Sequence, residues 1–234
     1  MNRPALALLL MFPAAAFAQD AEPEAEAEAG AEEAVEEEAP AAAPVTYNLA
    51  SSTGALTVLV KYDRNSLLAR MGHDHVVTPT SFTGTVTWSN DDLSACNVNI
   101  SFPVSALVVD PAGTRAAAGL SGETSDGDKK KITSNLLGKN QLNANSFSNI
   151  TFQSTSCSGS GTQATVAGNL SIRGASKAVS ASMNISADGS SFTASGSFDA
   201  AHSDFGFDPF TALAGSLKNA NPLHFKVNVT GSAQ

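Results

Sequence analysis

The sequence predicts an all-β fold: an eight-stranded antiparallel barrel with one short helix at residues 126–137. Three observations carry this reading. Apolar and polar residues alternate through most of the chain beyond residue 45, the period of half-buried strands. Eight such runs follow one another at turn-punctuated spacing, and closing them on themselves removes exposed sheet edges. A single segment carries helix signals in place of alternation.

The first run, "ALTVLVKY", sets Leu56, Val58, Val60 and Tyr62 on one face. The second, "SFTGTVTWS", does the same with Phe82, Gly84, Val86 and Trp88. In the third, "CNVNISFPV", Cys96, Val98, Ile100 and Phe102 oppose Asn97, Asn99 and Ser101. The remaining five are "NITFQSTS", "TVAGNLSIR", "AVSASMNIS", "SFTASGSFDA" and "LHFKVNV". Between the third and fourth runs, "SDGDKKKITSNLLGKNQL" supplies Ser125 or Asp126 as N-cap and acids in the first turn. Ile132, Leu136 and Leu137 form its apolar stripe, Gly138 its C-cap, and Lys129–Lys131 a solvated face.

Two segments precede the barrel. Residues 1–18, "MNRPALALLLMFPAAAFA", read as a secretory signal peptide: Arg3, a short apolar core, then Ala16-Phe17-Ala18 before the cleavage point. The apolar core is shorter than the roughly 20 residues of a membrane span, so the expectation is an exported protein without a span, periplasmic or otherwise secreted after cleavage near Ala18. Residues 19–44 hold ten carboxylates and no basic residue. That composition repels itself and has little to bury, which predicts a disordered acidic linker.

With these removed, residues 45–234 contain 12 Lys/Arg and 12 Asp/Glu, so the domain is nearly neutral although the whole chain carries −9. A nucleic-acid partner would call for a basic face and is not expected. Cys96 and Cys157 are the only cysteines, and in an exported chain they predict one disulfide. Their parity conflicts: Cys96 sides with Val98 and Ile100, whereas Cys157 opposes Ile150 and Phe152. The bond therefore requires a bulge or a strand end just before Cys157.

Inside the barrel, small residues (Gly84, Gly168, Ala181, Ala194, Gly196) alternate with large ones. A barrel of eight strands is either filled or holds one small ligand. The predicted lining is Leu56 and Val58; Phe82, Val86 and Trp88; Ile100 and Phe102; Phe152; Leu170 and Ile172; Met183; Phe192 and Phe198; Phe225 and Val227. Such a lining, apolar and aromatic with few polar fixtures, suits a lipid-like guest better than a sugar or nucleotide. A packed, empty barrel remains the alternative.

The order of motifs resembles the YceI-like family of exported, lipocalin-like barrels over most of residues 46–231. The likeness runs through "YNL", "GHDHVVTPTSFTGTVTW", "VNISFPVSALVVDPAGTR" and "LLGKNQLNANSFSNITFQST". It continues through "VAGNLSIRGASKAVSASMNI", similar to the family's Gly-x-Leu-x-Ile-x-Gly-x-x-Lys-x-Val signature, to "HSDFGFDPF". The resemblance implies that a long isoprenoid-like chain sits in the barrel, in a carrier or sequestering role, with no catalysis and no cofactor. His202 stands where the family often has Arg, and Asn149 where it usually has Pro.

"MGHDHVVTP", residues 71–79, concentrates the polar chemistry. His73 and His75, two apart on extended chain, face the same way. With His202 they are assigned to a polar rim, where they contact a head group or satisfy backbone. The alternative is a metal-binding or stress-related protein; two imidazoles suit zinc or copper, and His202 with Asp204 would have to complete the set. His224 is expected to face outward. Gly72 is expected to permit a tight turn, and Asp74 to satisfy turn amides. An enzyme is not expected: no serine sits in a nucleophile elbow, and Glu123 is the only glutamate of the domain. Such barrels carry little else to bury, which leaves a homo-oligomer open.

Overall fold

A computed structural model describes residues 43–52, 55–160 and 162–234; the signal peptide and the acidic linker up to residue 42 lie outside them. Twelve strands are present: β1 (Val45–Leu49), β2 (Leu56–Tyr62), β3 (His75–Pro79), β4 (Thr83–Trp88), β5 (Asn97–Pro103), β6 (Leu107–Val109), β7 (Asn149–Ser160), β8 (Gln163–Ile172), β9 (Ala175–Ala187), β10 (Ser191–Ala201), β11 (Thr211–Ala212) and β12 (Leu217–Ala233).

These twelve make eight staves. β1 and β2 are the two parts of one stave, and both pair antiparallel with β12. β3 and β4 form the second, with β3 on β2 and β4 on β1. β5 and β6 form the third, on β4 and β3 respectively. β7 to β10 follow in order, and β12 pairs with β10 on one edge and with β1 and β2 on the other. The sheet is thereby a closed antiparallel barrel. β11 only fastens to the start of β12.

The breaks have a visible cause in two staves. Pro79 ends β3 and Pro103 ends β5; proline has no N–H to continue the ladder. A 3-10 turn, Val104–Ala106, then reorients the chain into β6. The eight alternating runs thus fall on barrel staves, whereas β1, β3 and β6 are too short to show a period.

The helix predicted at 126–137 is α2, since a single turn, α1 (Thr114–Ala117), precedes it. Ser125 caps α2 by accepting from the Asp128 N–H at 3.2 Å. Gly138 closes it in an extended conformation, φ −66°, and not the left-handed one common at helix ends. Ile132, Leu136 and Leu137 pack on one of two core clusters, with Val77, Val104, Leu107, Leu142, Phe205 and Phe207. The other cluster, around Tyr47, Phe82, Val86, Trp88, Met183 and Phe192, fills the barrel where β1 begins. Phe102, Phe152 and Phe198 touch both clusters.

Cys96 and Cys157 are joined, with Cα atoms 6.0 Å apart. The register of β7 against β8 slips between Ser154 and Ser156, so Thr155 is the extra residue. This bulge turns Cys157 inward, opposite Val166, and resolves the parity conflict in the sequence. The bond closes a loop 61 residues apart, for which loop entropy gives roughly 4 kcal/mol. Cys96→Ala combined with Cys157→Ala is expected to lower the unfolding free energy by about that much, read as a lower urea midpoint and a steeper slope from the expanded unfolded chain; an unchanged midpoint and slope would show that the bond contributes nothing.

Candidate functional site: an apolar cavity and a polar cleft

A cavity of about 120 Å³ lies within the barrel. Thirteen of the fifteen predicted lining residues reach it: Leu56, Val58, Val86, Trp88, Ile100, Phe102, Phe152, Leu170, Met183, Phe192, Phe198, Phe225 and Val227. Phe82 and Ile172 do not. Both are buried, Phe82 in the cluster near β1 and Ile172 in the cluster under α2, where packing leaves them no free face. Val77, Leu107 and Val179 line it as well, and none of the predicted set included them. Val77 and Leu107 lie in the short strands β3 and β6, where alternation is too brief to assign a face.

Two glycines set the shape of the void. A Cβ on Gly168 would sit 2.5 Å from the Phe152 ring, and one on Gly196 would overlap the Met183 sulfur. Both large side chains therefore lie flat across glycine, along the wall, and leave the lumen free. Phe198 and Phe225 stack at 4.7 Å between centroids and form another wall.

The "GHDH" stretch sits outside this cavity. It borders a separate cleft of about 200 Å³, which is also lined by Val60, Tyr62, Ile132, Leu136 and Phe210. Gly72 is extended, φ −80°, so a tight turn is not what requires glycine. The Tyr62 ring covers the position, and a Cβ there would lie 2.5 Å from it. Asp74 accepts from the Tyr62 amide at 3.1 Å and from Arg64 at 2.8 Å, and so caps the end of β2. His73 is exposed and lines the cleft with His75.

His75 has a partner that sequence reasoning missed. Its Nδ1 lies 2.7 Å from Oδ2 of Asp110, a fully buried carboxylate. Asp110 also accepts from the Val76 N–H at 2.7 Å, Thr124 Oγ1 at 2.6 Å and Arg115 at 3.3 Å. Arg115, itself buried, donates further to the carbonyls of Asp74, Ser121 and Gly122. One carboxylate and one guanidinium thus bind the 110–124 loop to the "GHDH" backbone. The available signal was "VVDPAGTR": an Asp closing an apolar strand and an Arg one turn later, both acidic and basic partners within one motif. Asp110 takes a left-handed φ of 48°, which Asp tolerates better than most residues.

Burial pushes the Asp110 carboxyl up, but hydrogen bonds from His75, Thr124 and Val76 outweigh it and hold the group at about 2. A depressed folded-state value means stability present above the unfolded pKa near 3.9 and lost as pH falls through 2.

His202 is not at a rim. It is buried under the turn after β10, where its Nδ1 donates to the Asn221 carbonyl at 2.9 Å and its ring meets Phe207 edge-on. Burial lowers its pKa despite that bond. It does not line the cleft of His73 and His75, because the turn carries it into the core. Asp204 is used by Lys177 at 2.8 Å and by the Ala201 amide. Among the described residues, no group of three His, Cys, Asp or Glu side chains is placed to hold a metal. His224 faces outward and pairs across strands with Asp199 at 2.7 Å.

Asp110→Asn is expected to destabilise the fold by about 3–5 kcal/mol, since it leaves Arg115 buried without its counter-charge. It should also flatten the acid limb of the stability–pH curve between pH 4 and 2, where wild type loses on the order of 2 kcal/mol. Urea unfolding at pH 2.5, 4 and 7 reads both effects.

Comparison with known proteins agrees with the fold. A family model described as YceI-like domain matches residues 60–230. The crystal structure of Burkholderia cenocepacia BcnA is similar at 15% identity and TM-score 0.57, covering 78% of this chain and 95% of that one. A Campylobacter jejuni YCEI protein is similar at 12% identity and TM-score 0.48, covering 68% and 84%. Among curated proteins nothing matches. The alternating staves, the closed barrel and the match over most of its length lead to one conclusion: the chain belongs to the YceI-like domain family.

Proposed function

We propose that this protein is an exported carrier that holds a long apolar, isoprenoid-like chain in the barrel. The single observation behind the proposal is the cavity within the barrel, with its wall of aliphatic and aromatic side chains. Burial of apolar chain there supplies affinity at about 25 cal/mol per Å² before the costs of binding. Family membership supports a binding role over a catalytic one. The segment 1–18 supports export to a periplasmic or extracellular space.

Size makes the proposal specific. At about 120 Å³ the void is below the 300–1,000 Å³ of ordinary ligand pockets and suits roughly one benzene-sized ring. Seating a long chain requires side chains to move. Met183, unbranched and adaptable, and the stacked Phe198–Phe225 pair are the walls with room to respond. A bound lipid therefore widens the lumen instead of filling a ready-made tunnel.

Native mass spectrometry of protein purified without detergent is expected to show an adduct of lipid mass. Ala181→Phe, which places a ring in the lumen, should weaken binding of a fluorescent C16 probe at least tenfold while the circular dichroism spectrum stays that of a barrel. An adduct-free preparation that also ignores the C16 probe would overturn the carrier role.

A further inference from the structure

The cleft beside α2 carries a feature that carriage of an apolar tail does not use. We infer that this cleft recognises a neutral hydroxyl group, with Nε2 of His75 as the acceptor. The inference rests on the carrier reading in one respect only: the hydroxyl is taken to be the head of an amphiphile.

The tautomer follows from the contacts. Asp110 is fully buried and accepts from His75, Val76, Thr124 and Arg115. A carboxylate in that setting has no proton to give, so the hydrogen between it and His75 belongs to Nδ1. In a neutral imidazole the proton on one nitrogen leaves the other as a bare acceptor. In the singly protonated ring, Nε2 of His75 therefore presents a lone pair.

That lone pair is available. Among the described residues, His75 makes its side-chain hydrogen bond through Nδ1. No buried side-chain nitrogen or oxygen there lacks a partner. Nε2 is thus at the accessible edge of a ring whose side chain is 17% exposed, and His75 lines the cleft.

The surroundings select the donor. Val60, Tyr62, Ile132, Leu136, Phe210 and Leu217 give the cleft an apolar body about 200 Å³ in volume, room for a ring or a short branched segment. Two of its polar side chains are engaged elsewhere, while His73, Asn135 and Asn219 add further polar edges. Lys218 pairs with Asp63 at 3.1 Å, and the side-chain amide of Gln141 donates to the Asp208 carbonyl at 3.2 Å. Among the described residues lining the cleft Lys218 is the one lysine or arginine, so no unpaired one is directed at an anionic head, and a carboxylate or phosphate would meet the lone pair unfavourably. A phenol or primary alcohol on an apolar body fits both walls and acceptor.

The test uses the full chain and three probes: 4-hexylphenol, 4-hexylanisole and the C16 probe above. The anisole keeps the oxygen but loses the hydrogen. Calorimetry is expected to give the phenol about a tenfold advantage over the ether, the worth of one hydrogen bond. His75→Asn keeps a short amide toward Asp110 but withdraws the acceptor from the cleft; it should abolish the advantage and leave C16 binding unchanged. Nitrogen-15 shifts of His75 in the wild type should report Nε2 as the unprotonated nitrogen, a readout that needs no variant to fold. Equal binding of phenol and ether, a preference that survives His75→Asn, or a protonated Nε2 in the neutral ring would each overturn the inference. A phenol preference without C16 binding would keep the cleft site and remove the carrier role, whereas C16 binding without a preference would do the reverse.

Discussion

The structure depends on closure by its last strand. β12 pairs along one edge with β10 through eleven consecutive partners, and its other edge receives β1 and β2. Because β12 is seventeen residues long, it spans a stave that the chain builds in two pieces, and it holds both pieces in one wall. The cavity exists inside that constraint. An open sheet would bury one face on something else, but a closed one must fill its own interior or leave space.

How the interior divides follows from residue size. Tyr47, Trp88 and Phe192 are large enough to seal one end, and they meet in tilted ring contacts at 5.4 and 6.2 Å. At the other end the staves contribute the stacked Phe198 and Phe225, with Phe102 and Phe152. There α2 lays Ile132, Leu136 and Leu137 over Val77, Leu107 and Phe205. The helix is thus part of the core, although it carries only a modest apolar stripe and three lysines. Between these ends, glycine opposite phenylalanine or methionine leaves a narrow lumen.

Much of this was legible in the residues. Period-two alternation located all eight staves because a half-buried strand exposes every second residue, whatever it pairs with. The helix was legible to the residue, since Ser125 and the acids of its first turn are local signals. The need for a bulge before Cys157 was legible from parity alone. What escaped was either too short or too distant. β3 and β6 have five and three residues, so Val77 and Leu107 had no period to declare their faces. Asp110 and His75 are 35 positions apart, and nothing local to "GHDH" points to "VVDP". His202 was misjudged for a similar reason: its burial comes from Phe207 and the Asn221 carbonyl, contacts that form only when the turn after β10 folds back. Asp74, the acid that sequence proximity offers to the histidines, serves a strand end instead.

The division between β1 and β2 and the interruptions at 80–82 and 104–106 fall in three adjacent staves, and cross-links such as Thr80 N–H to Ala106 and Phe82 N–H to Ser51 show that they are neighbours. Leu49, Leu56, Pro79, Phe102 and Leu107 flank these gaps and all line the lumen. The wall is therefore anisotropic. On the side of β7 to β10 each stave is one strand, its ladder broken only by the slip at Thr155, whereas on the opposite side three staves are each divided between two strands beside the void. A barrel built this way has a seam at the height of its contents, where one wall is assembled from paired half-strands and the other from whole ones.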